Sequence, residues 1–171
     1  MKKLFYLALA VLLPGLMSCN DKDEPIWDYN PYVLSIDIVD ADGNNLLDPA
    51  VEGNLAGESI LMGYNDLFYE MLTPDPDDYP SRYYLPTFFG LVRERGWDYE
   101  TSTPTSWQLR WGEFDCAVSK TYNFDLYITC INRAPFSFEM KITNKGNGEV
   151  YEELSVDGKK VDTPSHYTIV L

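Results

Sequence analysis

Short segments that alternate apolar and polar residues run through most of this chain, and they commit it to β-structure. In Tyr32 to Val39, Leu34, Ile36 and Ile38 fall on one face and Val33, Ser35, Asp37 and Val39 on the other. Successive side chains of a strand point to opposite sides of the pleat, so a strand with one buried face shows this two-residue period. Glu58 to Tyr64, Arg82 to Arg93, Trp107 to Trp111, Tyr122 to Ile131, Phe136 to Thr143, Val150 to Val156 and Tyr167 to Leu171 read as further strands. Phe124, Leu126, Ile128 and Cys130 share one face of their segment, and Trp107, Leu109 and Trp111 share another that reads as core. Pro86 marks an edge or a bend inside its segment, because proline cannot donate to a ladder. No segment sustains a 3.6-residue apolar period; the best helical window, Asp66 to Leu72, is two turns at most.

Turn formers separate these segments. Asp40-Ala41-Asp42-Gly43-Asn44-Asn45 follows the first strand, Asp48-Pro49 closes that unit, and Asp157-Gly158 is a strong hairpin signal. Longer loops are expected at Thr73 to Ser81, which contains PDPDD, and at Trp97 to Ser106, which contains TSTPTS. Short strands with a turn at every break predict an all-β fold, an antiparallel β-sandwich that is loosely immunoglobulin-like. Residues 32–171 form one domain on this reading, a size at which a single core is sufficient.

The first residues have a different purpose. Met1-Lys2-Lys3 is a positive start, Leu4 to Leu13 is an unbroken apolar run, and Pro14-Gly15 breaks it. The run is shorter than the roughly 20 residues that span a bilayer, and its flanks are those of a secretory signal. Leu16-Met17-Ser18-Cys19 resembles the bacterial lipobox, in which the cysteine thiol takes a diacylglyceryl group and cleavage leaves that cysteine first. Residues 1–18 are then a removed lipoprotein signal peptide, Cys19 is the lipidation site, and 19–31 are a flexible tether. Lys22-Asp23-Glu24, just behind Cys19, resembles the acidic export signals of Bacteroidetes lipoproteins. That resemblance implies an outer membrane lipid anchor with display at the cell surface; the periplasmic face is the alternative. Ile38 to Pro49, with its strand, Asp/Gly turn and Leu-Leu-Asp-Pro, looks like the opening of small, uncharacterised Bacteroidetes surface lipoproteins, as does Val156-Asp157-Gly158-Lys159-Lys160. The resemblance implies a β-rich surface protein and carries no activity.

Charge narrows the partners. The chain has 27 acidic and 13 Lys and Arg residues, a net charge of −14, and loss of Lys2 and Lys3 with the signal takes the mature part to −16. Such a surface repels phosphate backbones and anionic head groups, so no nucleic acid partner is expected. The lipid anchor must hold the protein to its membrane in place of electrostatics.

No catalytic constellation stands out. His166 is the sole histidine and no G-x-S-x-G turn accompanies it, so a surface histidine is the favoured reading. One histidine cannot build the common zinc sites, and Asp40 to Asn44 has its glycine at the wrong place for a calcium loop, so no metal and no cofactor are expected. If the segments around Cys116 and Cys130 form a hairpin turning near Lys120, Cys116 faces Phe124, so both cysteines are expected free and buried. The aromatic excess is the most suggestive feature. Tyr79, Arg82, Tyr83 and Tyr84 in one loop, and Trp97, Asp98 and Tyr99 in another, combine flat rings with polar groups that bond sugar hydroxyls. They are the candidate ligand-binding residues. The leading reading is a non-catalytic binding module for a neutral glycan or an outer-membrane protein. A structural or adhesion subunit, using Tyr167 to Leu171 in strand complementation, is the alternative. A hydrolase is third.

Overall fold

The computed structural model describes residues 31–73, 90–98 and 100–171. They form ten strands: β1 Tyr32–Val39, β2 Ile60–Tyr64, β3 Leu67–Glu70, β4 Leu91–Asp98, β5 Thr103–Phe114, β6 Lys120–Ile128, β7 Phe136–Asn144, β8 Val150–Val156, β9 Lys159–Val161 and β10 His166–Val170. None of the described residues is helical. A four-stranded sheet runs β10-β1-β5-β4 and a six-stranded sheet runs β3-β2-β6-β7-β8-β9. The fold is a β-sandwich whose pairs are antiparallel except β1 with β10, which is parallel. Its ten described strands compare with about seven to nine in immunoglobulin domains.

The alternation in the sequence becomes the inner faces. Leu34, Ile36 and Ile38 of β1 are buried, as are Leu109 and Trp111 of β5, Phe124 and Leu126 of β6, and Phe138 and Met140 of β7. Aromatic rings lock the two sheets together. Trp111 meets Tyr64 at 6.2 Å, Tyr69 at 5.3 Å and Phe124 at 5.8 Å, and Phe114 stacks on Phe124 at 5.6 Å. Trp107 only partly joins this core, because the Arg93 and Arg95 guanidinium groups lie over its ring at 4.8 and 5.4 Å.

Three local expectations change. Asp66 to Leu72 is not helical. Asn65 and Asp66 both have positive φ, 51° and 62°, the backbone of a tight hairpin turn that matches the twist of paired strands, and β3 leaves from it. The turn expected at Trp97 to Ser106 is shorter, since β4 runs on to Asp98 and β5 begins at Thr103. Pro104 is tolerated there because β1 pairs with β5 only from Leu109 onward, leaving that side of Pro104 without a ladder to satisfy. Cys116 and Cys130 do not lie on a hairpin. The chain crosses from the four-stranded to the six-stranded sheet between β5 and β6; Cys116 lies in that crossing just before β6 and Cys130 just after β6, so the nine-residue strand holds them apart. Both cysteines are free; Cys116 is buried as expected, but Cys130 is exposed, because β6 stops at Ile128 and a turn closes with Ile131 N–H donating to the Ile128 carbonyl at 3.2 Å.

The sheet edges are treated differently. Leu72 follows β3 and bonds to β4, its N–H reaching the Leu91 carbonyl at 2.9 Å while Arg93 N–H reaches its own carbonyl at 2.7 Å. The chain therefore ties the two sheets together along that side. β9 is three residues long and carries Lys159 and Lys160, a length and charge that discourage strand addition.

Candidate functional site: the outer face of the six-stranded sheet

Of the residues singled out for binding, Tyr79, Arg82, Tyr83, Tyr84 and Tyr99 lie outside the described residues, as do Cys19 and the signal segment. The backbone of Trp97 pairs with Pro104 near the end of β4. Asp98 closes that strand. Its carboxylate accepts from Glu100 N–H at 2.8 Å, Thr101 N–H at 3.3 Å and the Thr101 hydroxyl at 2.8 Å. The Thr101 hydroxyl, then the two backbone donors, hold it below the usual carboxylate range. Asp98 thus folds the turn between β4 and β5 with both oxygens engaged.

Asp40 behaves in the same way. It accepts from Asn44 Nδ2 and N–H, each at 2.8 Å, and from Asp42 N–H at 2.9 Å, so this acidic run is a self-bonded turn. No cluster of three or more His, Cys, Asp or Glu among the described residues is arranged to hold a metal. His166 is not solitary: its Nε2 lies 3.1 Å from Asp37 Oδ2 on the neighbouring strand. Ser35 stands opposite His166 in register, and no hydrogen bond joins the two among the described contacts.

The described surface with binding character is the outer face of the six-stranded sheet. Alternation places Ile60, Met62 and Tyr64 of β2 inward, so Leu61 and Gly63 face out. Register carries that face across the sheet: Gly63 lies opposite Phe68 on β3 and Asp125 on β6, and Asp125 lies opposite Ser137 on β7. Phe68, Gly63, Asp125 and Ser137 therefore form one row over four strands. Tyr127 leans diagonally into it and meets Phe68 edge to face, with centroids 5.5 Å apart and planes at 70°.

Gly63 makes that meeting possible. A Cβ there would come 3.2 Å from Tyr127 Cε2 and 3.4 Å from Phe68 Cε1, so the rings converge over bare backbone. An isolated glycine within a strand pattern is a signal of such close approach, and it was readable in the sequence. Phe68 itself is 65% exposed, unusual for a phenylalanine. Beside the rings, the Ser137 hydroxyl donates to Asp125 Oδ1 at 2.6 Å. Ser137 N–H donates to Asp157 Oδ1 at 2.9 Å, so the row is braced at its far end.

Two shallow depressions adjoin along this face. One, of about 540 Å³, extends from the Asn65-Asp66 turn past Phe68 and Tyr127 to Asn123 and Asp125. The other, of about 430 Å³, continues from Asn123 and Asp125 to Ser137, Glu139 and Ser155. Asn123 and Asp125 line both, so the two lie side by side across the strands with these two residues between them. Asp66, Asp125 and Glu139 line them and no Lys or Arg does, so their charge opposes anions. Ring faces at one end and carboxylate, amide and hydroxyl groups beside them suit a ligand that is apolar on one side and hydrogen-bonding on the other. No family model, curated protein or solved structure matches this chain.

Proposed function

We propose that the protein is a lipoprotein held in the outer membrane through Cys19 and displayed at the cell surface, where its sandwich domain acts as a non-catalytic binding module. Its ligand is a neutral glycan or an outer-membrane protein. The observation that carries the reading is the exposed Phe68 ring, set against Tyr127 over Gly63 and beside the Asp125–Ser137 pair. An exposed ring is no part of a core, and the surrounding carboxylates fit the exclusion of anionic partners that the net charge of −14 implies.

The test uses the full chain in a non-glycosidic detergent, probed against neutral and acidic glycans and against purified outer-membrane proteins. Retention of a neutral glycan or a defined protein supports the module reading. Failure of the folded chain to bind either, at concentrations up to millimolar, counts against it.

A structural subunit is the second reading, and β10 favours it. This edge strand is five residues long, contains no lysine or proline, and ends with Val170 at 62% exposure, so it lacks the protection that β9 has. Val170→Lys should dissolve any strand-mediated assembly, read by analytical ultracentrifugation. A monomeric wild type removes this reading.

A further inference from the structure

We infer that the Phe68–Tyr127 corner is a pyranose subsite, with Asp125 as its hydroxyl acceptor, so that the ligand of the outer face is a neutral oligosaccharide lying across β3, β2, β6 and β7. The inference rests on the module reading above and assigns it one ligand class and one location.

A pyranose has a C–H face that leaves water readily and a rim of hydroxyls that must keep their hydrogen bonds. The C–H face needs an exposed ring that the core does not use, and Phe68 is one. Tyr127 sets the Phe68 orientation from the side, and Gly63 leaves the space beneath them free of any side chain. The rim needs acceptors and donors together. Asp125 Oδ1 is occupied by the Ser137 hydroxyl, which fixes the carboxylate and leaves Oδ2 to accept from a sugar hydroxyl. Asn123, shared by both depressions, supplies an amide that donates as well as accepts. The two depressions lie side by side on either side of Asn123 and Asp125, an extent suited to more than one sugar ring.

A lysine-rich peptide would also be attracted by Asp66 and Asp125. The exposed Phe68 ring beside amide and hydroxyl groups favours the sugar, which offers a C–H face and a rim of hydroxyls that both donate and accept, whereas the lysine ammonium has only donors. Salt separates the two ligands: screening weakens attraction between charges and leaves stacking and neutral hydrogen bonds nearly unchanged.

The experiment titrates the full chain, in a non-glycosidic detergent, with neutral gluco-, manno- and galacto-oligosaccharides by calorimetry at low and high salt. Wild type should bind at least one, with affinity unchanged by salt. Phe68→Ala and Phe68→Leu should each weaken it by at least about tenfold, or 1.4 kcal/mol, and Phe68→Tyr should retain it. Gly63→Ala should weaken it by pushing the rings apart, and Asp125→Asn by removing the strong acceptor. Thermal melts should show Phe68→Leu folded as wild type. Wild-type affinity in Phe68→Leu and Asp125→Asn overturns the inference. Loss on Trp97→Ala with no loss on Phe68→Leu also overturns it, moving the sugar to the end of β4 in the other sheet while leaving the module reading intact. Affinity that collapses with salt, or binding of lysine peptides alone, overturns the sugar assignment. If no oligosaccharide binds but a defined outer-membrane protein does, the inference falls and the module reading stands.

Discussion

Phe138 tests the packing on which every other feature depends. It lies on the inner face of β7 at 2% exposure, stacked on Phe124 at 5.3 Å with planes 9° apart, and its ring meets Tyr167 of β10 at 5.8 Å and 90°. It thus connects the centre of the six-stranded sheet to the edge strand of the other layer. Phe138→Ala removes the ring and both pairings. A buried phenylalanine cut to alanine costs about 3–5 kcal/mol, of which each aromatic pair accounts for about 0.5–1.5 kcal/mol beyond its buried area. For a domain of this size a kcal/mol is worth about 3 °C, so Tm should fall by roughly 10 °C. Urea unfolding followed by tryptophan fluorescence measures the loss. A double-mutant cycle of Phe138→Leu with Tyr167→Leu isolates the contact between the sheets, with an expected coupling of about 0.5–1.5 kcal/mol. A loss below about 1 kcal/mol for Phe138→Ala would be ordinary surface behaviour and would refute the inward placement of β7. Zero coupling would refute the docking of β10 over Phe138.

Cys19→Ala should abolish metabolic labelling with a radioactive fatty acid; a variant that still takes up the label would remove the anchor assignment. Thiol counting on denatured, unreduced protein should find Cys116 and Cys130 both free, and in native protein Cys130 should react first, because burial shields the Cys116 thiol and pushes it above its usual pKa; equal rates would contradict the burial of Cys116. Burial pushes the Tyr32 phenol up to about 12, so its folded-state value lies above the unfolded one. The stability this gives is intact below pH 10 and is lost as pH rises toward 12, a loss that Tyr32→Phe should abolish in alkaline melts. The Asp98 carboxyl is depressed, so its contribution is present above the ordinary aspartate range and disappears as pH falls through its folded value; Asp98→Asn should blunt acid sensitivity, and an unchanged acid limb would refute the turn geometry.

Much of the fold is local and could be read from the chain. Alternation in Tyr32 to Val39 set which side chains would be buried, because period and pleat are the same geometry. Asp157-Gly158 named its hairpin for a similar reason: both residues have positive φ, which few residues other than Asn, Asp and Gly tolerate at a turn. The Asn65-Asp66 turn follows the same rule. Leu67, Phe68, Met71 and Leu72 after it give an apolar spacing that also suits two helical turns, and only pairing with β2 decides for the strand.

Composition and pattern could not decide which strands share a sheet. Neighbours in sequence pair when their connection turns back, yet the five residues between β5 and β6 carry the chain from one sheet to the other, and the two cysteines end up at opposite ends of β6. Nor could they show that the aromatic excess includes an outer-facing corner. Phe68 and Tyr127 are 59 positions apart, and their meeting depends on the register of β2 between β3 and β6 and on the missing side chain of Gly63. Charge count, local sterics and solvent's rejection of apolar side chains made the acidic balance, the β-class, several of the turns and the inward face of most strands legible in the chain. The tertiary structure alone decided the order of strands and the row Phe68, Gly63, Asp125 and Ser137, because both arise from hydrogen bonds between segments far apart in the chain, whose partners no local pattern names.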